Sequence, residues 1–391
     1  MTPTPRPLPP GSWLGMLGGG QLGRMAVHAA QTLGYRVAVL EPDTQAPAGA
    51  AADFHLQAVY TDPEALAELA RRCGAVSTEF ENVPAQALDR LAAAVPVAPA
   101  GAAVAVCQDR ALEKAHFAKS GVACAPHVVL NDLDDLTRVG DELLPGILKT
   151  TTLGYDGKGQ RRVRDHTELL AAFAELGGVR CVLEALLPLA AELSVIVARG
   201  RDGALVTLPV QRNWHVSGIL ATTVVPATGI DARQIAQAEA SARAIAEAFG
   251  YVGVLCIEFF VLTDGRLLAN EMAPRPHNSG HYSIDACTVS QFELQVRAMA
   301  GLPLGQPRLH SPAVMLNLLG DLWFLADGTQ QEPDWATVLA LPGVHLHLYG
   351  KTEPRRARKM GHLTVTAPTQ ADALAVARRV AAHLGLPTDG L

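Results

Sequence analysis

The sequence predicts a parallel α/β domain at the N-terminus, a larger α+β unit in the middle and a small β-rich domain at the end. Three observations carry this. Through the first hundred residues short apolar runs alternate with amphipathic stretches, the pattern of β-α-β crossovers. In the middle, apolar runs at 257–261 and 267–271 flank the turn Thr263-Asp264-Gly265, a hairpin signal. From about Ser311 onward, strand-like runs precede one closing helix.

In order, residues 12–17 read as a strand, 21–33 as a helix, 36–40 as a second strand, 63–72 as a helix and 75–77 as a third strand. Together they form a Rossmann-like sheet within 11–107, after a disordered Pro-rich lead at 1–10. Between the first strand and helix, Gly18-Gly19-Gly20-Gln21-Leu22-Gly23 satisfies Gly-x-Gly-x-x-Gly, and Glu41 closes the second strand near where a ribose-binding acid would sit. Such glycines allow close backbone approach to an anion at a helix N-terminus. Taken alone, the loop predicts a nicotinamide-dependent dehydrogenase. The acidic cluster Glu79-Phe80-Glu81-Asn82 follows the third strand on the same rim, and either carboxylate can face a ligand there.

A second unit, 108–310, begins with an amphipathic helix at Asp109-Arg110-Ala111-Leu112-Glu113-Lys114 that ends by Gly121 and Pro126. Residues 147–149 end a strand at Lys149. The Gly-rich loop that follows, through Gly154-Tyr155-Asp156-Gly157-Lys158-Gly159-Gln160, suits a cover over phosphates, with mobile N–H groups and a cationic head. It belongs to a mobile lid at about 125–190. The run 181–187, with Glu184, leads into an apolar linker, and Glu192 begins a strand at 193–198; an apolar slot beside a carboxylate accepts an adenine and a ribose.

Glu258 and Glu271 each interrupt an apolar strand, and pairing of the hairpin brings them together. Two adjacent carboxylates call for a cation, and magnesium is often held by one or two carboxylates plus substrate phosphates. Arg275, His277, Asn278 and His281 follow at once, between and after the stiffening Pro274 and Pro276, as donors able to clamp a small oxyanion. The last segment, 311–391, offers strands at 314–318, 344–348 and 363–366 and a helix at 370–384, a domain that closes over the site.

Composition excludes several classes. The net charge of -6 disfavours a general nucleic-acid binder, which needs a large excess of Lys and Arg. Six scattered cysteines without a Cys-x-x-Cys pair argue against a zinc site or a disulfide framework and for a reducing compartment. The chain has neither a signal-peptide core nor a run of ~18 uncharged apolar residues, so the expectation is a cytoplasmic protein without a membrane partner.

The order Lys149, Gly-rich loop, Glu184, Glu192, Glu258, Asn270-Glu271 resembles the ATP-grasp ligases. More narrowly, the segments 18–25, 79–84, 154–160, 270–281 and Arg358-Lys359-Met360-Gly361-His362 resemble the N5-carboxyaminoimidazole ribonucleotide synthetases of purine biosynthesis. That resemblance implies an ATP-grasp fold with a Rossmann-like pre-ATP-grasp domain, and ATP-dependent carboxylation of 5-aminoimidazole ribonucleotide with bicarbonate through carboxyphosphate. It further implies Arg110 and Lys149 on the ATP phosphates and Gly154, Tyr155, Asp156, Gly157, Lys158, Gly159 and Gln160 as the lid. Glu184, Ala185, Leu186 and Leu187 would lie at the adenine, Glu192 on the ribose, and His215 and Asn270 nearby. Glu258 and Glu271 would hold Mg2+; Arg275, His277 and Asn278 would face bicarbonate. Asp156 would accept the amine proton, Tyr155 would reach over the aminoimidazole, Lys351 and Arg358 would bind the 5′-phosphate, and Gly20, Gln21, Leu22, Glu79 and Glu81 would line the ribonucleotide pocket. A homodimer is the implied assembly. Another ATP-grasp ligase, such as a formate-dependent enzyme acting on a glycinamide ribonucleotide, is the nearest alternative; a regulatory nucleotide-binding protein would have kept the fold without turnover.

Overall fold

The computed structural model describes residues 6–152, 154 and 159–391. Strands β1 (Trp13–Leu17), β2 (Arg36–Leu40), β3 (Phe54–Leu56) and β4 (Ala75–Thr78) form a parallel sheet in the order β3-β2-β1-β4. Helices Gln21–Thr32 and Pro63–Arg72 lie where the periodicity places them. Asp62 caps the second by accepting from the backbone N–H groups of Glu64 and Ala65. The edge strand β3 was not expected, because three residues are too few to show alternation. Within residues 6–10, expected as part of a disordered lead, Leu8 is anchored instead. Leu8 N–H donates to Ala300 C=O at 2.8 Å and its carbonyl accepts from Tyr35 Oη at 2.7 Å, because its side chain fills a gap in the apolar core.

A four-stranded antiparallel sheet follows: β5 (His127–Leu130), β6 (Gly146–Thr150), β7 (Gln160–Val163) and β8 (Cys181–Ala185), ordered β5-β8-β6-β7. Its core of Leu148, Val163, Leu169, Phe173 and Leu183 is separate from the others, so this sheet and the helix His166–Glu175 make their own packing unit.

The main sheet has nine strands. They are β9 (Leu189–Arg199), β10 (Leu205–Thr207), β11 (Gln211–Val216), β12 (Ile219–Val225), β13 (Gly253–Leu262), β14 (Leu267–Ala273), β15 (Ala313–Leu319), β16 (Val344–Leu348) and β17 (Lys359–Thr366). The order is β14-β13-β9-β11-β12-β15-β17-β16, with β10 beside β9. The C-terminal strands therefore continue the central sheet through the antiparallel β12–β15 pair, Thr222↔Leu316 to Val225↔Ala313, rather than forming a sheet of their own. One plane of hydrogen bonds thus runs from the Glu258–Glu271 hairpin to the strands flanking Lys351.

A single buried amide joins the first domain to that sheet. Gln295, 1% exposed on helix Gln291–Ala300, accepts from Val254 N–H at 2.6 Å and donates to Ser77 Oγ at 2.8 Å and Ala98 C=O at 3.1 Å. Removing it strands buried partners on both sides. Gln295→Ala should destabilise the protein by about 2–3 kcal/mol, read as a lower midpoint in urea denaturation, while Gln295→Glu at low pH should recover part of the loss.

Candidate active site

A cavity of ≈ 310 Å³ lies between the lid sheet and the central sheet. Arg110, Lys149, Gly154, Gln160, Glu192, His215, Glu258, Asn270, Glu271, Arg275, His277, Asn278 and Glu81 all line it, so the long-range grouping read from the sequence is brought into one space.

The hairpin is built as its turn predicted, with one refinement. The β13–β14 ladder pairs Ile257 with Met272 and then Phe259 with Ala269, so a bulge sets Glu258 against Asn270 and Glu271. The Glu258 side chain is 14% exposed and that of Glu271 43%, and the two titrate in opposite directions. Burial, then the charge of Glu271, pushes Glu258 up to about 7. For Glu271 burial also raises the pKa, but Arg110 and Lys149 outweigh it and hold the group below the ordinary range. Arg110 Nη1 lies 3.2 Å from Glu271 Oε2, carried there by a helix that Asp109 caps through the N–H groups of Ala111 and Leu112.

Behind this pair lies a lysine–glutamate–lysine bridge. Glu184 receives Lys149 Nζ at 2.9 Å and lies 3.0 Å from Lys114 Nζ, and the two cations hold its carboxyl down at about 2 against the effect of burial. Lys149 itself is pulled down by burial, so its ammonium stands ready for a further anion. The Glu184 carboxylate is thus occupied by lysines. Residues 184–187 lie outside the cavity lining, with the Ala185 and Leu186 N–H groups donating to Pro126 and Pro145 carbonyls at 2.9 Å. Across the cavity, Glu192 on β9 pairs with His215 on β11; despite burial, Glu192 keeps His215 above its usual pKa.

The loop after β14 is rigidly seated. Gln291 accepts from His277 N–H and donates to its carbonyl, each at 2.8 Å, and His277 Nδ1 lies 2.9 Å from Ser279 Oγ. His277 Nε2 reaches to 3.4 Å from Glu258, and burial followed by Arg275 keeps the imidazole neutral. Arg275 forms an ion pair with Glu81. Both side-chain polar atoms of Asn278 are buried without a hydrogen-bond partner among the described residues, although the residue lines the cavity. Two adjacent unsatisfied polar atoms facing a cavity suit a bound polar ligand.

The glycine loop holds its own anions. Glu79 accepts from Gly20 N–H at 2.8 Å and Gly23 N–H at 3.1 Å, and Glu41 accepts from Gly19 N–H at 2.7 Å. A Cβ on Gly20 would sit 2.6 Å from Glu79 Oε1, which explains the glycine there. These carboxylates fill the amides a dinucleotide pyrophosphate would use. Gln21 and Leu22 open the helix behind Gly20, and of the two acidic candidates Glu81 lines the cavity while Glu79 closes the loop.

Lys351 lines a second cavity of ≈ 190 Å³ and donates to Lys359 C=O at 2.6 Å. Burial, followed by the nearby Arg358, lowers its pKa to about 8. Arg358 Nη1 donates to Glu353 C=O at 2.7 Å. Gly159, at φ +71°, forms the end of the Gly-rich loop, whereas Tyr155, Asp156, Gly157 and Lys158 lie outside the described residues.

Sequence reasoning missed three contributors. Glu113 is 3% exposed, accepts from Met272 N–H at 2.6 Å, and is pushed up to about 8 by burial. Lys114 is 1% exposed, and Lys359 lines the main cavity. Arg110, Glu113, Lys114 and Phe117 follow helical spacing, so a charged stripe on an otherwise amphipathic helix was the available signal.

Comparison with known proteins agrees with this geometry. Residues 12–108 match the ribonucleotide synthetase preATP-grasp domain, 115–292 the ATP-grasp domain and 313–376 the phosphoribosylaminoimidazole carboxylase C-terminal domain. The N5-carboxyaminoimidazole ribonucleotide synthase of Brucella melitensis biotype 1 is 45% identical over 364 residues, covering 92% of this chain and 98% of that protein. The chain belongs to the N5-carboxyaminoimidazole ribonucleotide synthase family. Among solved structures, an ADP complex of an N5-carboxyaminoimidazole ribonucleotide synthetase aligns with a TM-score of 0.90 at 38% identity, covering 98% of this chain and 99% of that one. The N5-carboxyaminoimidazole synthase of Aspergillus clavatus, in complex with ADP and 5-aminoimidazole ribonucleotide, aligns with a TM-score of 0.85 at 32% identity, covering 96% and 99%. Membership in this synthase family replaces the dehydrogenase suggested by the glycine loop alone.

The raised Glu258 sets a pH dependence. Its folded pKa of about 7 exceeds the ordinary 4.5, so the folded protein holds this proton more tightly than the unfolded chain. Its stabilising contribution is complete below 4.5 and is lost as pH rises through about 7. In EDTA, Glu258→Gln should therefore gain stability over the parent at pH 8 but not at pH 4, measured by urea denaturation.

Proposed function

We propose that the protein carboxylates the exocyclic amine of 5-aminoimidazole ribonucleotide, using ATP and bicarbonate and releasing N5-carboxyaminoimidazole ribonucleotide, ADP and phosphate in purine biosynthesis. The observation that carries this reading is one cavity that combines paired carboxylates, buried cations and the unpartnered Asn278 amide, in a chain of this family.

Glu258 and Glu271 would hold Mg2+, with Asn270 beside them. Their donor set fits the ion, because two carboxylates that line one cavity and repel each other are what a hard divalent cation relieves. When bound, the ion neutralises charge on the triphosphate. Arg110 and Lys149 bind the phosphates, Glu184 keeps Lys149 aimed, and residues 154–160 cover them. The linker 184–187 receives the adenine, and Glu192 with His215 receives the ribose. Arg275, His277 and Asn278 orient bicarbonate and then carboxyphosphate, offering preorganised donors where charge develops as the γ-phosphoryl group moves. Neutral His277 donates without adding charge next to Glu258.

The ribonucleotide lies between the first and last domains. Gly20, Gln21, Leu22, Glu79 and Glu81 form one wall, and Lys351 and Arg358 take the 5′-phosphate. A depressed Lys351 pKa supports this role, since a phosphate restores the favourable surroundings that burial and Arg358 remove. Tyr155 covers the aminoimidazole and Asp156 accepts the amine proton. The segments 11–107, 108–310 and 311–391 thus divide the work into acceptor wall, phosphoryl chemistry and phosphate anchor. We further infer a cytoplasmic homodimer without a nucleic-acid partner, the assembly implied by the family; none of the described helices is long and apolar enough to cross a membrane.

ADP release with Mg2+, ATP and bicarbonate should rise when 5-aminoimidazole ribonucleotide is added; no stimulation would overturn the substrate assignment. Glu271→Gln should lower kcat by more than ~100-fold, because losing a ligand costs at least as much as losing its supporting partner. Lys351→Ala should raise the ribonucleotide KM ~10-fold with little change for ATP, which steady-state kinetics in each substrate will separate.

A further inference from the structure

On the far side of the anion loop, the C-terminal strands gather histidines that the synthase chemistry does not use. His345 and His347 are two apart on β16 and so share a face of the sheet, and His347 pairs directly across the ladder with His362 on β17. Asp285, on the short helix Ser283–Ala286 that follows the anion loop, points into the same place. Its Oδ2 lies 2.8 Å from His347 Nε2, and its Oδ1 lies 3.8 Å from His345 Nδ1.

His362 is fully buried, and its Nδ1 is taken by Tyr349 Oη at 3.0 Å. The remaining nitrogen, Nε2, is buried with no hydrogen-bond partner among the described residues. An imidazole nitrogen left dry and unsatisfied is costly unless something binds it. With one donor atom taken from each, Asp285, His347 and His362 lie within 4.8 Å of one another. Donors around a tetrahedral zinc ion stand ~3.3 Å apart for bonds of ~2.0 Å. The His347 and His362 rings stack at 4.5 Å between centroids and 12° between planes, so His347, 27% exposed, must swing out of the stack to bring both nitrogens to one ion.

We propose that Asp285, His347 and His362 form a second metal site, for a divalent first-row transition ion of the zinc class, that fastens the anion loop to strands β16 and β17. Two imidazoles and a carboxylate are borderline ligands, which favour such an ion over magnesium. The ion ties the helix following residues 275–281 to the strands that flank Lys351, so its role is positional and separate from the Glu258–Glu271 pair.

The test is a Zn2+ titration by calorimetry of EDTA-stripped full-length protein in saturating Mg2+, with Co2+ absorption as a check on ligand type. One saturable equivalent is expected, together with a Zn2+-dependent rise in thermal midpoint. His347→Ala and the near-isosteric Asp285→Asn should each weaken Zn2+ at least ~10-fold, while the Glu258→Gln/Glu271→Gln double variant retains it. Absence of saturable binding in the parent protein would overturn the proposal. So would binding unchanged in both Asp285→Asn and His347→Ala, or binding lost only in the glutamate double variant.

Discussion

Two carboxylates set side by side on one hairpin, facing one cavity, set the terms for the surrounding structure. Charges of the same sign in a poorly solvated site cannot both ionise at ordinary pH without compensation, and Glu258 answers by holding its proton to about 7. Glu271 is instead kept ionised by Arg110 and Lys149. Lys149 is itself buried and needs a partner, which accounts for the Glu184 bridge behind it, while burial and then Arg275 keep His277 neutral beside Glu258. Glu113 fixes the Met272 backbone next to Glu271, so the strand carrying that carboxylate is tied to the helix carrying its counter-charge.

The N-terminal domain illustrates how one local motif serves a different end. A glycine-rich turn at a helix N-terminus attracts an anion, and here the anion belongs to the protein. Glu79 and Glu41 take the amides of Gly20, Gly23 and Gly19, so the loop becomes a rigid wall instead of a pyrophosphate cradle. Gln295 then locks that wall to the central sheet.

The C-terminal segment acts through continuity. Because β15 pairs with β12, the last domain is a lateral extension of the sheet that carries the hairpin; Lys359 is placed by that ladder, and Lys351 is held to it by donating to the Lys359 carbonyl. A basic loop that reads as solvated in isolation is thereby brought to the rim of two cavities.

Much was legible in the sequence, for a local reason. Strand and helix periods, the Thr263-Asp264-Gly265 turn and the glycine spacing all depend on residues a few positions apart. The chain by itself therefore determined the parallel sheet, the carboxylate hairpin and the order of groups that marks the family. The tertiary structure alone decided what each charged group touches. Glu184 meets Lys149 from 35 positions away, Met272 meets Glu113 from 159, and Glu79 rather than Glu81 caps the glycine loop. Likewise, the histidines at 345, 347 and 362 meet Asp285 only because β16 and β17 pack against the helix after the anion loop. Burial and long-range pairing set the energy of a charge, and neither is a property of the local chain.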